Sequence, residues 1–301
     1  MIHILNKTDN ENQFVVDILS DLRKDNFGFQ ACICFLGSSW RKSHATAKGN
    51  PSLTNSWFSI TIFIGLLALA ILIFNLFFEG PIETLHVLPG FLFFVVWQQS
   101  DLYWHLGLNR QVGTGKQLSA LSTATSVTFL RALSASYLLA RFIGGIGTPS
   151  WLILLALVGG IITDILDGQI ARRTHTQTKY GQIADAEADF CLYLAITGIL
   201  IQQHILPFWF GMFLLLRFII PLIAAIASYF LFAHPVRFGS TLWGKLSGLA
   251  FSFYLLLLLV PAKLIIITDL FHIPLMIVTM ILLALATVAQ ILRNVGAFPI
   301  I

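Results

Sequence analysis

An all-α, polytopic membrane protein is the fold class this sequence predicts, and three observations predict it. Of its 301 residues 57% are hydrophobic and 11% charged, too apolar a balance for a soluble domain of this length. Apolar runs long enough to span a bilayer recur at 56–77, 85–99, 124–146, 150–171, 184–204, 207–232, 242–262 and 271–292, the second being short. Lys and Arg gather in alternate connections. One set holds Arg110 and Lys116, then Arg172, Arg173 and Lys179, then Arg237 and Lys245, with Arg293 after the last run. The other set, near 78–84, 147–149 and 205–206, holds none, and only Lys263, close to Asp269, departs from the bias. By the positive-inside rule both termini face the cytosol.

Before the first span, residues 1–55 hold six Lys/Arg and five Asp/Glu, which reads as a polar cytosolic segment. Within it Phe14, Ile18 and Leu22, with Val15 and Leu19 beside them, give residues 13–24 one apolar helical face. Residues 38–55, rich in Ser, Lys, Thr and Asn, read as a linker. The short stretch Met1–Lys7 is followed by acidic residues rather than an apolar core, so no signal peptide is expected. Two accessory spans (56–99) come next, then a mostly polar interfacial segment at 100–123 with Trp104, His105, Arg110 and Lys116. The six remaining spans form a core over 124–301. Cys32, Cys34 and Cys191 form no CxxC pair and are expected to be reduced and structural. The formal net charge of +4 fits loops facing anionic headgroups; no basic patch with interleaved aromatics points to nucleic acid.

Five of the fourteen acidic residues fall between Asp164 and Asp189. A carboxylate near the centre of a membrane helix costs roughly 2.5–3.5 kcal/mol on insertion scales, so such a cluster needs a task. At about 100° per residue Asp164, Asp167, Gly168 and Ala171 share one helical face. Gly181, Asp185 and Asp189 step by four along the next helix. Glu187 points roughly opposite to them and is expected to be solvated or paired with a basic neighbour. Four carboxylates offered to one small volume by two facing helices make sense mainly around divalent cations and a phosphate substrate.

The run Asp164-Ile-Leu-Asp167-Gly168-Gln-Ile-Ala171-Arg172, then eight residues, then Gly181-Gln-Ile-Ala-Asp185-Ala-Glu-Ala-Asp189, fills every position of DxxDGxxAR…GxxxDxxxD. In this it resembles the CDP-alcohol phosphotransferase family. The resemblance implies a six-helix core, which often opens with an interfacial helix, and metal binding by Asp164, Asp167, Asp185 and Asp189. It implies Mg²⁺ or Mn²⁺, two ions, with Asp189 also the base. The cytidine diphosphate would lie over Gly168, Ala171, Arg172 and Gly181. A metal-bound carboxylate is a poor base, so Asp189 is also read as orienting the acceptor hydroxyl. Thr128-Phe-Leu-Arg131 resembles the LTxxR element that opens the family's first core helix, with Thr125 where an Asn usually precedes it.

Arg217 lies well inside a span and needs an anion or a carbonyl partner. Arg217, Arg237 and Lys245 are candidates to meet a phosphate on the acceptor; Phe218 stands where members using glycerol phosphate often carry Glu. The reaction expected is transfer of a phosphatidyl group from CDP-diacylglycerol to an alcohol, releasing CMP, in a multi-pass protein whose active site faces the cytosol. The preferred acceptor would be phosphorylated, such as glycerol phosphate or inositol phosphate. Membrane lipids are expected partners, and a homodimer is left open. Two alternatives stand beside this. One is transfer of phosphocholine or phosphoethanolamine to diacylglycerol. The other is a cation or proton transporter, which predicts acids spread across the membrane depth and leaves the Asp-Gly and Ala-Arg positions unexplained.

Overall fold

A computed structural model describes residues 28–232, 242–259 and 265–295. Among them the regular structure is helical: α1 (Phe29–Gly49), α2 (Pro51–Phe78), α3 (Pro81–Trp104), a 3₁₀ turn (Leu106–Leu108), α4 (Thr123–Ile143), α5 (Ser150–Arg173), α6 (Lys179–Gln202), α7 (Phe208–Phe232), α8 (Leu242–Leu258) and α9 (Ile265–Val295). Each of the eight expected apolar runs overlaps one helix, α2 to α9, with residues 260–262 of the seventh run lying outside the described residues. Pro51–Phe78, Ser150–Arg173 and Leu270–Ala289 are long and apolar enough to cross a membrane. These features are those of a multi-pass membrane protein.

The chain divides into two compact units. One holds the described residues up to Ile146 together with Gly159–Leu192; the other holds Gly147–Val158 and the described residues from Tyr193 onward. In the first unit, prolines at the opening positions of α2 and α3 set where those helices begin, since their fixed φ suits a first turn that needs no donor. Gly80, at φ +99°, makes the reversal between them. α4 starts at Ser122, whose hydroxyl accepts from the Thr125 amide at 3.2 Å. It then runs through the middle of the unit, with fourteen of its residues buried. A Cβ on Gly90 would lie 3.3 Å from Ala140, so α3 approaches α4 almost backbone to backbone. Gln98 strengthens that seam by donating to Ala132 O at 2.9 Å and to Ser136 Oγ at 2.8 Å.

The second unit is closed by aromatic packing. Tyr193 stacks on Phe251 at 4.7 Å and on Phe218 at 5.6 Å, and its hydroxyl meets Ser252 Oγ at 2.6 Å. Gly211 sits so close to Ile201 and Thr197 that a side chain there would force them apart.

Two segments differ from what the sequence predicts. Residues 38–55 are not a linker; 38–49 complete α1, 51–55 open α2, and only Asn50, at φ −131° and ψ 77°, interrupts the chain between them. Tertiary contacts override the polar composition there. Ser43 is buried and donates to the Tyr103 and Trp104 carbonyls, and Trp104 Nε1 donates to Ser39 Oγ at 2.8 Å. The segment 100–123, read from sequence as interfacial, is divided: residues 100–104 end α3, Leu106–Leu108 form the 3₁₀ turn, and 109–121 are irregular where the family resemblance suggested an opening helix. The amphipathic stretch 13–24 and Arg237 lie outside the described residues.

Candidate active site

The site forms where α4, the last turns of α5 and the first turns of α6 meet. Close approach of α5 and α6 depends on Gly160, which leaves the space that Leu192 fills. Along α5 the i, i+3 spacing of Asp164 and Asp167, and along α6 the i, i+4 spacing of Asp185 and Asp189, turn all four carboxylates toward one residue of α4, Arg131. Its Nη1 lies 3.2 Å from Asp164 Oδ1, and its Nη2 lies 3.0 Å from Asp185 Oδ1 and 3.4 Å from Asp167 Oδ2. Its Nε is 3.2 Å from Asp189 Oδ1, at an angle that makes an ion pair but no hydrogen bond. The Arg131 side chain is 0% exposed, Asp167 3%, and Asp164, at the rim, 57%.

One turn earlier on α4, Thr128 Oγ1 stands 3.0 Å from Asp167 Oδ2 and 2.9 Å from Asp185 Oδ1. Its single proton serves one carboxylate at a time, so the hydroxyl links the two helices without neutralising either. Thr128 and Arg131 are the site residues that the acidic motif alone does not contain. Their signal was the TxxR spacing, which puts both on one face of α4.

Beside this cluster opens a cavity of about 150 Å³. Gly168, Ala171, Arg172 and Gly181 line it, as do Asp167 and Asp185, and its polar wall adds Thr125, Thr176, Gln177, Thr178 and Gln182. Arg172 folds back one helical turn, and a Cβ on Gly168 would lie 3.2 Å from its Nη1. The missing side chain at 168 leaves room for that guanidinium at the cavity wall. Gly181 NH is held by Thr178 Oγ1 at 3.0 Å at the opening of α6. The cavity wall is also laced to the segment before α4. Val112 N donates to Gln177 O at 2.8 Å, Lys179 N donates to Arg110 O at 3.2 Å, and Gln111 Nε2 donates to His175 O at 2.9 Å.

On the other face of α6, as expected, Glu187 lies within electrostatic reach of His105 and Asp101. The His105 ring stacks near that of Tyr180 at 6.3 Å, and its Nδ1 is 2.9 Å from Asp101 Oδ1. Burial pulls the His105 imidazole down, but the hydrogen bond and charge of Asp101, with the charge of Glu187, outweigh it and leave its pKa raised. Burial pushes the Tyr180 phenol well above its ordinary value.

In the second unit Arg217 finds the carbonyl partner its position demands. Nη2 donates to Gly244 O at 3.2 Å, and the guanidinium lies against Gly248, where a Cβ would come within 2.7 Å. Lys245 is exposed on the same stretch of α8.

Carboxylates drawn together from two consecutive helices lie beside a polar cavity lined by Gly168 and Arg172, in a helical protein with the features of a multi-pass membrane protein. Residues 121–292 match the family described as CDP-alcohol phosphatidyltransferase, and the chain belongs to that family. It is thus a transferase that moves a phosphate-linked group from a CDP-alcohol to another alcohol in a membrane. No curated protein and no solved structure matches it.

Proposed function

We infer that the protein transfers a phosphatidyl group from CDP-diacylglycerol to the hydroxyl of a phosphorylated alcohol and releases CMP. The reading assigns the accessory hairpin to α2 and α3, the six-span catalytic core to α4–α9, and the cytosolic side to the site. One observation carries it: four carboxylates converge within 3.0–3.4 Å of a single cation, next to a cavity built for close approach of a ligand to the α5 backbone.

The donor set suits Mg²⁺ or Mn²⁺, which favour hard oxygen ligands, and the guanidinium already among these oxygens marks the volume between them as one that takes positive charge. Among the described residues no three acidic, histidine or cysteine groups are closed around one point as metal ligands. Asp164, Asp167, Asp185 and Asp189 would hold two ions, which when bound offset the diphosphate charge and stabilise the attacking and leaving oxygens. Arg172, from its place over Gly168, grips the diphosphate through its planar fork. The threonine and glutamine wall of the cavity offers neutral donors and acceptors to the cytidine. Asp189, 33% exposed at the edge of the cluster, orients the acceptor hydroxyl and receives its proton.

The deciding assay is purified protein with CDP-diacylglycerol, a panel of alcohols, and Mg²⁺ or Mn²⁺. Release of CMP only with a phosphorylated acceptor supports the reading; ion flux in liposomes without CMP release defeats it. The acceptor preference rests on the sequence argument for Arg217, Arg237 and Lys245. Arg217→Gln should raise the acceptor KM far more than the donor KM. An unphosphorylated alcohol used equally well, or a donor-side defect, would overturn that preference.

A further inference from the structure

The residue least explained by a metal-and-nucleotide site is the cation already inside it, and the role assigned to it here depends on the four aspartates being a divalent-ion site. Arg131 has no exposed side-chain surface, and all three of its guanidinium nitrogens face carboxylates of that set. Its stem passes Gly160, where a Cβ would lie 3.9 Å from Cδ, so the stem runs along the helix seam while the guanidinium is held by the carboxylates alone. A divalent ion binds carboxylate oxygens at roughly 2.0–2.2 Å and repels a guanidinium a few ångströms away. Each metal–oxygen bond therefore withdraws an acceptor from Arg131, most directly at Asp167 and Asp185, the two carboxylates that share its Nη2.

We propose that Arg131 is the resident counter-cation of this site, and that divalent ions bind by taking its carboxylates from it. One guanidinium against four carboxylates leaves three formal negative charges, so the cluster holds together yet stays strongly attractive to more cations. Thr128 supports the exchange: its hydroxyl continues to link Asp167 and Asp185 when Arg131 lets go.

The experiment reads metal binding, not turnover. Full-length wild type, Arg131→Gln, Arg131→Lys and Asp167→Asn are stripped with EDTA and titrated with Mn²⁺, free ion being followed by electron paramagnetic resonance. Melting is recorded with and without Mn²⁺. Arg131→Gln should bind Mn²⁺ about tenfold more tightly or better, because the competing charge is gone. It should also melt lower than wild type without Mn²⁺ and gain more on its addition. Arg131→Lys, a point charge that cannot reach four carboxylates, should bind with intermediate strength, about threefold tighter than wild type. Should the glutamine variant fail to fold, the lysine variant decides alone. Binding by the variants equal to or weaker than wild type overturns the exchange while leaving the metal site standing. If wild type takes up no Mn²⁺, or Asp167→Asn takes it up as well as wild type, the metal reading itself fails and the exchange with it.

Discussion

Helix α4 carries two buried arginines ten residues, or about 15 Å, apart, and they live in opposite electrostatic settings. Arg141 is 1% exposed and meets Glu79 at 2.6 Å through Nη1, which also lies 3.2 Å from the Tyr137 hydroxyl and 3.5 Å from Asn75 Oδ1. Tyr137 donates in turn to Asn75, and Asn75 Nδ2 donates to Thr84 Oγ1 at 2.9 Å. One carboxylate pairs with one guanidinium there, among the described residues, and neutral groups complete the network. That is a tie, joining the α2–α3 hairpin to α4. Arg131 instead faces four carboxylates and cannot balance them. Burial alone does not separate structure from function in this protein. The ratio of opposing charges does.

Mutations should sharpen the contrast. The largest effect is expected at the unbalanced end, where Asp164→Asn, Asp167→Asn or Asp185→Asn should each abolish turnover. The loss should reach or exceed the roughly 10²–10³ that one missing electrostatic stabiliser typically costs. Thermal stability without divalent ions should hold or rise, because three carboxylates still surround Arg131 after repulsion is relieved. Near-normal turnover in any of the three would remove that residue from the site. At the balanced end the pattern inverts. Glu79→Gln removes the charge that Arg141 pairs with and should cost about 1–3 kcal/mol of stability, below the full penalty of a broken buried pair because Glu79 is 25% exposed. Activity per folded molecule should persist, and a melting temperature equal to wild type would show that Glu79 is no tie.

Smaller differences should separate the paired arginines at the end of α5. Arg172→Lys keeps the charge but loses the bidentate fork, so it should raise the donor KM or lower kcat by several-fold. Arg173→Lys should be nearly silent, and equal effects at both positions would mean that only net charge matters. The smallest effect is a pH dependence at His105. Its folded pKa is raised, so the stability from its Asp101 pair is full below the ordinary histidine value near 6.5 and is lost as pH rises through the folded value. Melting curves across that window should show a slight fall in wild type that His105→Gln abolishes.

The acidic half of the site was legible because helical periodicity turns i, i+3 and i+4 spacing directly into a shared face, and a carboxylate in an apolar run demands a reason. Arg131 was half legible. The Thr128–Arg131 spacing marked a face of α4, but nothing local says which helices that face meets. The Glu79–Arg141 tie joins residues 62 positions apart, a long-range pairing that periodicity cannot encode. Composition misled at 38–49, where serines and lysines read as a linker although Ser39 and Ser43 are fastened to the end of α3. Glu187 was placed correctly on the far face of α6. That it meets His105 together with a second acid, Asp101, needed the fold.

The lacing between residues 110–112 and 175–179 bears on how this protein can be taken apart or recombined. The family match begins at residue 121, but backbone bonds from Val112 and to Arg110 hold the edge of the cavity on which Gln177 and Thr178 sit. One isolated antiparallel bridge, Gln111 with Thr178, joins the two segments, and a second, Arg110 with Gln117, folds the first segment on itself, in a protein otherwise helical among its described residues. Cavity-edge residues thus borrow their rigidity from chain that lies outside the matched domain. A chimera that swaps the α5–α6 loop with that of a relative would need to carry the 109–118 segment with it, as a lock travels with its strike plate.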